Sequence, residues 1–412
     1  DGDGSMTLAQ AGPPRSVGVA RDLYRLMKAT TTILALCVAA LLSLGMVVLF
    51  SSNLTLGSAA TAAADGWRAW QRDPAIWQLF WLILGLGAAA LVAAVDYRWL
   101  QRVWWLPYAV AVGLLVWVLV KGIASHGATR WLRIGPVSLQ PSEFAKLALI
   151  IALAYYAQRY PHQMRTFVRG LVIPCAMSGV LLVLIFLEPD WGATLLLAAV
   201  TGVLLLVAGA RWVHLMPPVL VGTAVLGVFL AQNPLRLNRI LSWLDLEATK
   251  EGVGYQAYQA QLALGSGGWT GVGLGNGEQY SYVPESQTDF IYSLAGEELG
   301  LVCTGGVVVA FVVLVLCGSW IARNARELFG SLLATGITFL IGLQALINMG
   351  VVTGLLPNKG LPLPFVSRGG SNLLVLLVAV GLLFSVARCS ARGRPDVQPT
   401  AELEEMPSPQ AC

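Results

Sequence analysis

A chain of 412 residues with 56% hydrophobic and only 12% charged side chains is too apolar for a disordered polymer or an ordinary soluble domain. The net charge of +4 is explained by basic residues flanking apolar runs, so it gives no reason to expect a nucleic-acid surface. The six cysteines (Cys37, Cys175, Cys303, Cys317, Cys389, Cys412) lie in apolar runs or near the C-terminus, which excludes a disulfide framework in an external loop.

In chain order, residues 1–5, DGDGS, precede Met6 and read as an expression remnant at the head of a cytoplasmic segment, 1–28. Ten apolar runs follow, at 29–50, 75–95, 103–122, 141–158, 170–187, 193–210, 213–231, 290–321, 330–353 and 369–388. Most have the length that carries a helix across a bilayer. The run 290–321 is long enough to begin outside the hydrocarbon. In lipid every backbone polar group must be paired internally, so the runs predict helices, and nothing alternates with the period of an outer-membrane strand. The first run is too long for a signal peptide and lacks a cleavage site. The fold class expected is an all-α polytopic membrane protein of about ten transmembrane helices, with a membrane domain over 29–388 and a disordered cytoplasmic tail, 389–412, rich in Pro and Glu. Arg98, Arg102, Arg159, Arg165, Arg169, Arg211, Arg323 and Arg326 fall on one side of this scheme. The positive-inside rule then puts both termini in the cytoplasm.

Three external segments remain. The first, 123–140, leads into a helix that starts at Pro141; the third is 354–368. The second, 233–289, is one large extracytoplasmic loop. A loop of that length is functional or disordered. Its anchors Trp243, Tyr255, Tyr258 and Leu262 predict order, with short helices in the membrane interface.

The chemistry concentrates around Val283–Gly300, which holds Glu285, Asp289, Glu297 and Glu298. Asp289 falls at a membrane boundary, where a carboxylate is costly unless it has a partner or a task. Pro141-Ser142-Glu143-Phe144-Ala145-Lys146 opens the fourth run with Pro in the first turn. Glu143 and Lys146 share a helix face; they form either a packing ion pair or a cationic site for Asp289 or a substrate anion. Glu188 and Asp190 occupy a tight external turn, where Asp190 is placed to cap the next helix. Residues 265–277 hold seven glycines. They are not a dinucleotide fingerprint; they make a tight connection or line a phosphate or sugar cleft with backbone N–H groups. The external bases Arg236, Arg239, Lys359 and Arg368 suit pyrophosphate, or they snorkel to lipid. Three scattered histidines (His126, His162, His214) give no zinc spacing. No tightly bound cofactor is expected, and a loosely held Mg²⁺ or Mn²⁺ shared with substrate phosphates is left open.

The segments RWLRIGPVSLQPSEFAKL (130–147), LEPDWGAT (187–194), YQAYQAQLALGSGGWTGVGLGNG (255–277), VPESQTDFIYSLAGEELG (283–300) and LLPNKGLPLPFVSRGGSN (355–372) together resemble the SEDS family (shape, elongation, division and sporulation), the division-type members more than the elongation-type ones. The resemblance implies a ten-helix inner-membrane peptidoglycan glycosyltransferase that polymerises lipid II at the division septum, with its active site on the extracytoplasmic side. It implies a class B penicillin-binding protein as partner, together with other divisome membrane proteins such as the FtsQ–FtsL–FtsB complex. Asp289 is the catalytic carboxylate that the resemblance implies, and Lys146 and Glu143 line the central cavity. Arg236, Arg239, Lys359, Arg368, Glu285 and Ser142 complete the expected substrate-binding set. Two positions depart from the family pattern: Gln287 stands where His is frequent, and Arg368 where Tyr is frequent.

That reaction needs one hydroxyl, the 4-OH of an N-acetylglucosamine, to attack the anomeric carbon of a lipid-linked muramyl unit. A carboxylate base and fixed cations suffice, because pyrophosphate leaves without protonation. A lipid II flippase is the alternative, although no inverted repeat with matching broken segments is visible. The small residues Gly305, Gly306 and Ala310 of the eighth span and Gly330, Ser331, Ala334, Gly342, Ala345 and Gly350 of the ninth suit either a partner helix or internal packing. They make spans eight and nine the expected docking face, with loop 233–289 beside the partner's external stalk.

Overall fold

The structure is a computed structural model that describes residues 15–55, 74–125, 128–134, 137–283 and 285–391. The expected remnant, 1–5, His126 and residues 392–412 of the expected tail lie outside the described residues. All ten apolar runs are helical. They form α1 (Arg15–Thr55), α2 (Pro74–Ala94), the short α3 (Trp99–Val103) with α4 (Trp105–Lys121), α5 (Pro141–Arg159), α6 (Ile173–Leu187), α7 (Trp191–Val207), α8 (Trp212–Gln232), α11 (Ile291–Arg323), α12 (Leu328–Val352) and α13 (Gly370–Ala391). Between α8 and α11 lie two shorter helices, α9 (Pro234–Leu244) and α10 (Tyr255–Ser266). These are the short helices expected of the long loop. Helix α13 continues to Ala391, three residues into the segment expected to be a disordered tail.

Among the described residues seven helices are long and apolar enough to cross a membrane on those grounds alone, and α4 and α7 are shorter apolar helices. Helix α5 differs because it carries Glu143, Lys146 and Arg159, yet 15 of its 19 residues are buried. It packs against α4, α7, α12 and α13, so Glu143 and Lys146 face protein rather than lipid, as intramembrane charges must, while Arg159 is exposed in the last turn. At the other extreme α8 buries only Leu215, which is the surface of a helix solvated by lipid.

The segment 123–140 contains a feature that the sequence did not announce. It folds as a three-stranded antiparallel sheet, β1 (Ile123–Ser125), β2 (Ala128–Ile134) and β3 (Val137–Leu139), in order β1-β2-β3. Its strands are too short to display a period. The pairing Leu132↔Leu139 and Arg133↔Ser138 brings β3 directly to the start of α5.

The glycine-rich segment resolves into a dock. Helix α11 is broken at Gly300, where φ is 75° and ψ −174°. The break frees the carbonyls of Glu297 and Glu298, which accept from the N–H groups of Val272 and Gly273 at 3.0 Å each. In return Leu301 and Val302 donate to the carbonyls of Gly268 and Trp269 at 2.9 and 3.2 Å. The backbones approach so closely that a Cβ on Gly267, Gly271 or Gly300 would collide with the opposite main chain. The buried carboxylates complete the dock. Glu297 accepts from the N–H groups of Glu278 and Gln279, and Glu298 accepts from Gly275 N–H and from Ser51 of α1. These amides are spent on the fold, so of the two readings of 265–277 the tight connection is the one that the hydrogen bonds favour.

Gly300→Ala should therefore destabilise the protein by more than the roughly 1–3 kcal/mol of an unfavourable backbone conformation, because a steric collision adds to it. A melting curve in detergent reads this; an unchanged midpoint would mean that the dock contributes nothing to stability.

Candidate active site

Asp289 sits in a turn just before α11. Its N–H and that of Thr288 both donate to the Glu285 carbonyl at 3.1 Å, and Glu285 takes a left-handed conformation, φ 58°. The Asp289 carbonyl accepts from Asn348 Nδ2 at 2.7 Å. Its carboxylate is left without a hydrogen bond or ion pair among the described residues. Oδ2 lies against Gly360, where a Cβ would collide with it. Burial pushes the Asp289 carboxyl up to about 6; the nearby Glu285 and Asp190 add to the rise and Arg130 opposes it. A carboxylate in this range is largely ionised at neutral pH yet still basic.

Around it stands a second tier, of which the candidate set held only Lys359. Arg130, on β2, donates through Nε to the Glu188 carbonyl at 3.2 Å and through Nη2 to the Pro189 carbonyl. Asp190 caps α7 by accepting from Ala193 N–H at 3.1 Å, as its place in the turn predicted, and also accepts from Gln140 Nε2 at 3.1 Å. Lys359 makes no hydrogen bond with a described residue. Burial lowers its pKa, and the charge of Asp190 works against that shift. Glu188 is fully buried with neither carboxylate oxygen partnered. Burial and the Asp190 charge raise it to about 8, against Arg130. Arg130 was legible as part of a motif but carried no spacing that singled it out.

Deeper in the bundle Lys146 Nζ lies 2.7 Å from Glu143 Oε2 and 3.2 Å from Gln344 Oε1. Gln344 Nε2 donates to the Pro362 carbonyl at 2.9 Å. Asn348, one helical turn further along α12, donates to the Leu361 carbonyl at 2.7 Å as well as to Asp289. Lys146 therefore reaches Asp289 through α12 and loop 354–368, and not by direct contact. Ser142 is buried beside this group, its hydroxyl unpartnered. The i, i+4 spacing of Gln344 and Asn348 in an otherwise apolar run was the available signal for this ladder.

The remaining candidates divide between the turn that carries Asp289 and helix α9. Glu285 is exposed and accepts from Thr288 Oγ1 at 3.0 Å. Arg368 donates through Nη1 to Gln287 Oε1 at 3.1 Å, and its N–H donates to the Gln287 carbonyl at 3.0 Å. The two positions that depart from the family pattern are thus partners of each other. Arg236 and Arg239 are both on α9, and the side chain of Arg236 lies outside the described set. Arg239 lines a separate cavity of about 320 Å³ between α9, α10 and the end of α12. No group of three or more His, Cys, Asp or Glu side chains among the described residues is arranged to hold a metal ion.

Residues 31–392 match the family model for FtsW, RodA and SpoVE, described as cell cycle protein. The chain belongs to this family. The "Probable peptidoglycan glycosyltransferase FtsW" of Trichlorobacter lovleyi is 39% identical over 86% of this chain and 92% of its own length. "Stage V sporulation protein E" of Bacillus subtilis is 36% identical over 85% and 94%. Among solved structures, a chain from the work described as "Structural coordination of polymerization and crosslinking by a peptidoglycan synthase complex" aligns with TM-score 0.71 and 28% identity, over 87% of this chain and 98% of that one. The rod shape determining protein RodA of Thermus thermophilus aligns with TM-score 0.60 at 28% identity, over 86% and 95%. A member of the FtsW/RodA/SpoVE family with this helix set is a membrane-embedded protein.

Glu188 gives a test of the site's electrostatics. Its folded pKa is raised, so the folded state holds the proton more tightly than the unfolded chain does. Its contribution to stability is present below about 4.5 and is lost as pH rises through about 8. Glu188→Gln cannot titrate and should flatten the fall of melting temperature between pH 5 and 8 by several degrees. A slope identical to wild type would place the Glu188 carboxyl in a solvated setting.

Proposed function

We propose that this protein is a peptidoglycan glycosyltransferase that polymerises lipid II into glycan strands during septal cell-wall synthesis, releasing undecaprenyl pyrophosphate. The observation that carries the reading is the unpartnered, half-buried Asp289 carboxylate, held at about 6 at the mouth of a membrane bundle in a chain of this family. Asp289 acts as general base on the acceptor 4-OH. Lys359 and Arg130 stabilise the departing pyrophosphate by charge. Lys146 and Glu143, with Ser142 beside them, hold the floor of the site through Gln344. Glu285 shapes the turn that carries Asp289, and Arg368 with Gln287 closes one side. The reading requires no tightly bound cofactor; a Mg²⁺ or Mn²⁺ carried on substrate phosphates is compatible with it. The chemistry takes place on the extracytoplasmic side of the inner membrane.

Purified protein with labelled lipid II should yield glycan chains, and Asp289→Asn should reduce their rate by about 10²–10⁴-fold, the worth of a general base. The wild-type rate should rise as pH passes through about 6, because the base works only when ionised. A rate for Asp289→Asn equal to wild type would remove Asp289 as base, and transbilayer movement of lipid II without polymer would favour a flippase.

Lys146 is one half of a buried pair, so its replacement by Met leaves Glu143 uncompensated, a loss of about 3–5 kcal/mol. Joint Glu143→Gln and Lys146→Met replacement should restore much of that stability while polymerisation stays impaired. Normal synthesis by the double variant would limit the pair to packing.

The partner we propose is a class B penicillin-binding protein, with the FtsQ–FtsL–FtsB complex and other divisome proteins around it. Of the small residues on the expected face, Gly330, Ala334, Ala345 and Gly350 of α12 are buried inside this chain. A Cβ on Gly305 or Gly306 of α11 would meet nothing within 4 Å, and Leu301, Val302, Val309, Val312 and Leu316 lie exposed beside them. The docking face therefore narrows to α11. Cysteine pairs placed there should trap the partner's transmembrane helix; trapping confined to another helix would refute it.

A further inference from the structure

Glycosyl transfer between two lipid-linked units involves two pyrophosphates, both kept at the membrane surface by their lipid tails. One leaves from the anomeric carbon beside Asp289. The other remains on the acceptor, separated from the attacking hydroxyl by the acceptor's own sugars. Lys359 and Arg130 are the cations proposed above for the first position. The second requires another cation, at head-group level, a short sugar chain away from Asp289.

The cavity between α9, α10 and the end of α12 meets these requirements. Its volume is about 320 Å³. Helix α9 presents Leu237, Leu241 and Leu244, all exposed, at the i, i+4, i+7 spacing of one apolar stripe. That stripe suits a helix lying in the membrane interface. Arg239, Ser242 and Trp243 fall on the opposite side of the helix and line the cavity, and Leu244, at the end of the stripe, lines it as well. The Arg239 guanidinium makes no hydrogen bond or ion pair with a described residue. Trp243 is fixed by donating from its indole N–H to the Gly354 carbonyl at 2.7 Å. Gln261 and Asn358 add neutral donors to the wall.

Loop 354–368 joins this cavity to the proposed base. Asn358 lines the cavity, and Gly360, two residues on, touches Asp289 Oδ2. Two residues span at most about 7 Å of extended chain. A hydroxyl at Asp289 and a pyrophosphate at Arg239 are therefore within reach of one acceptor molecule laid along residues 358–360.

We propose that the α9–α10–α12 cavity is the acceptor's pyrophosphate subsite, with Arg239 as its cation and Gln261 and Asn358 as its neutral donors. The assignment rests on the glycosyltransferase reading and divides its two substrates between two anion sites. Arginine is suited to the task because its planar fork pairs with two phosphate oxygens at once.

The experiment uses the full chain with its partner in nanodiscs and two probes. Lipid II blocked at the 4-hydroxyl serves only as donor, and a lipid II analogue with a non-leaving carbon linkage at the anomeric centre serves only as acceptor. Arg239→Gln, and Ala257→Phe to fill the cavity without removing a polar group, should raise the acceptor KM about tenfold, the order of one hydrogen bond to a charged group. The donor KM should stay as in wild type. Direct binding of the acceptor analogue should weaken by the same factor in both variants. An effect on donor KM instead, or on neither, overturns the assignment. Equal displacement of the analogue by phosphatidylglycerol also overturns it, making the cavity a general anionic-lipid site. If the analogue binds in an Arg239-dependent way while the wild type forms no glycosidic bond, the glycosyltransferase reading fails and the pyrophosphate site stands.

Discussion

The structure turns on a charge pair inside the membrane bundle. Lys146 and Glu143 are 1% and 3% exposed, and neither is tolerable there alone. Their mutual contact uses only part of their hydrogen-bonding capacity, so the lysine takes Gln344 as well. Gln344 brings its own amide into the interior and must place it, which it does on the Pro362 carbonyl. Asn348 repeats the device one turn on, with Leu361 and Asp289. Lys146 thus fixes Gln344, and Gln344 and Asn348 each anchor loop 354–368 to α12, because an unpaired donor in this setting is costly. The end of the sequence is the backbone of Asp289, fixed relative to the core of a helical bundle although it belongs to a loop.

The same economy explains why the proposed base is basic. Asp289 has its backbone secured and its carboxylate left unpartnered among the described residues. Glu285 and Asp190 stand near enough to raise it, and Arg130 limits the rise. Were Arg130 aimed at the carboxylate itself, the group would be a weak base held in an ion pair. Arg130 instead binds the carbonyls of Glu188 and Pro189, so its charge acts at a distance. Lys359 is likewise desolvated and makes no hydrogen bond with a described residue.

Much of this was legible before the fold. Run length and charge placement gave the helices, because the bilayer admits few alternatives. Asp289 stood out by its position at a boundary, and Glu143 with Lys146 by their three-residue spacing. What stayed hidden depends on contacts between distant segments. Gln344 was one amide in an apolar run until Lys146, 198 residues away, was placed beside it. Gln287 and Arg368 looked like two separate departures; their contact across 81 residues makes them one. The three-stranded sheet escaped notice because strands of 3–7 residues carry too little alternation to be distinguished from a loop.

The break at Gly300 shows how one continuous apolar run serves two purposes. Residues 291–299 form a nearly fully buried helix beneath the long loop, and from Leu301 onward α11 presents an exposed apolar face. An unbroken helix would satisfy its own carbonyls at 297 and 298 and leave the loop nothing to pair with. With the break, those carbonyls become the loop's anchor, and the side chains of the same two residues bind its amides and Ser51. The loop, α1 and the first half of α11 are thereby joined just beyond Asp289. Movement of α11 against α1 would be felt first at this junction, which links the helix face proposed for the partner to the turn that carries the proposed base.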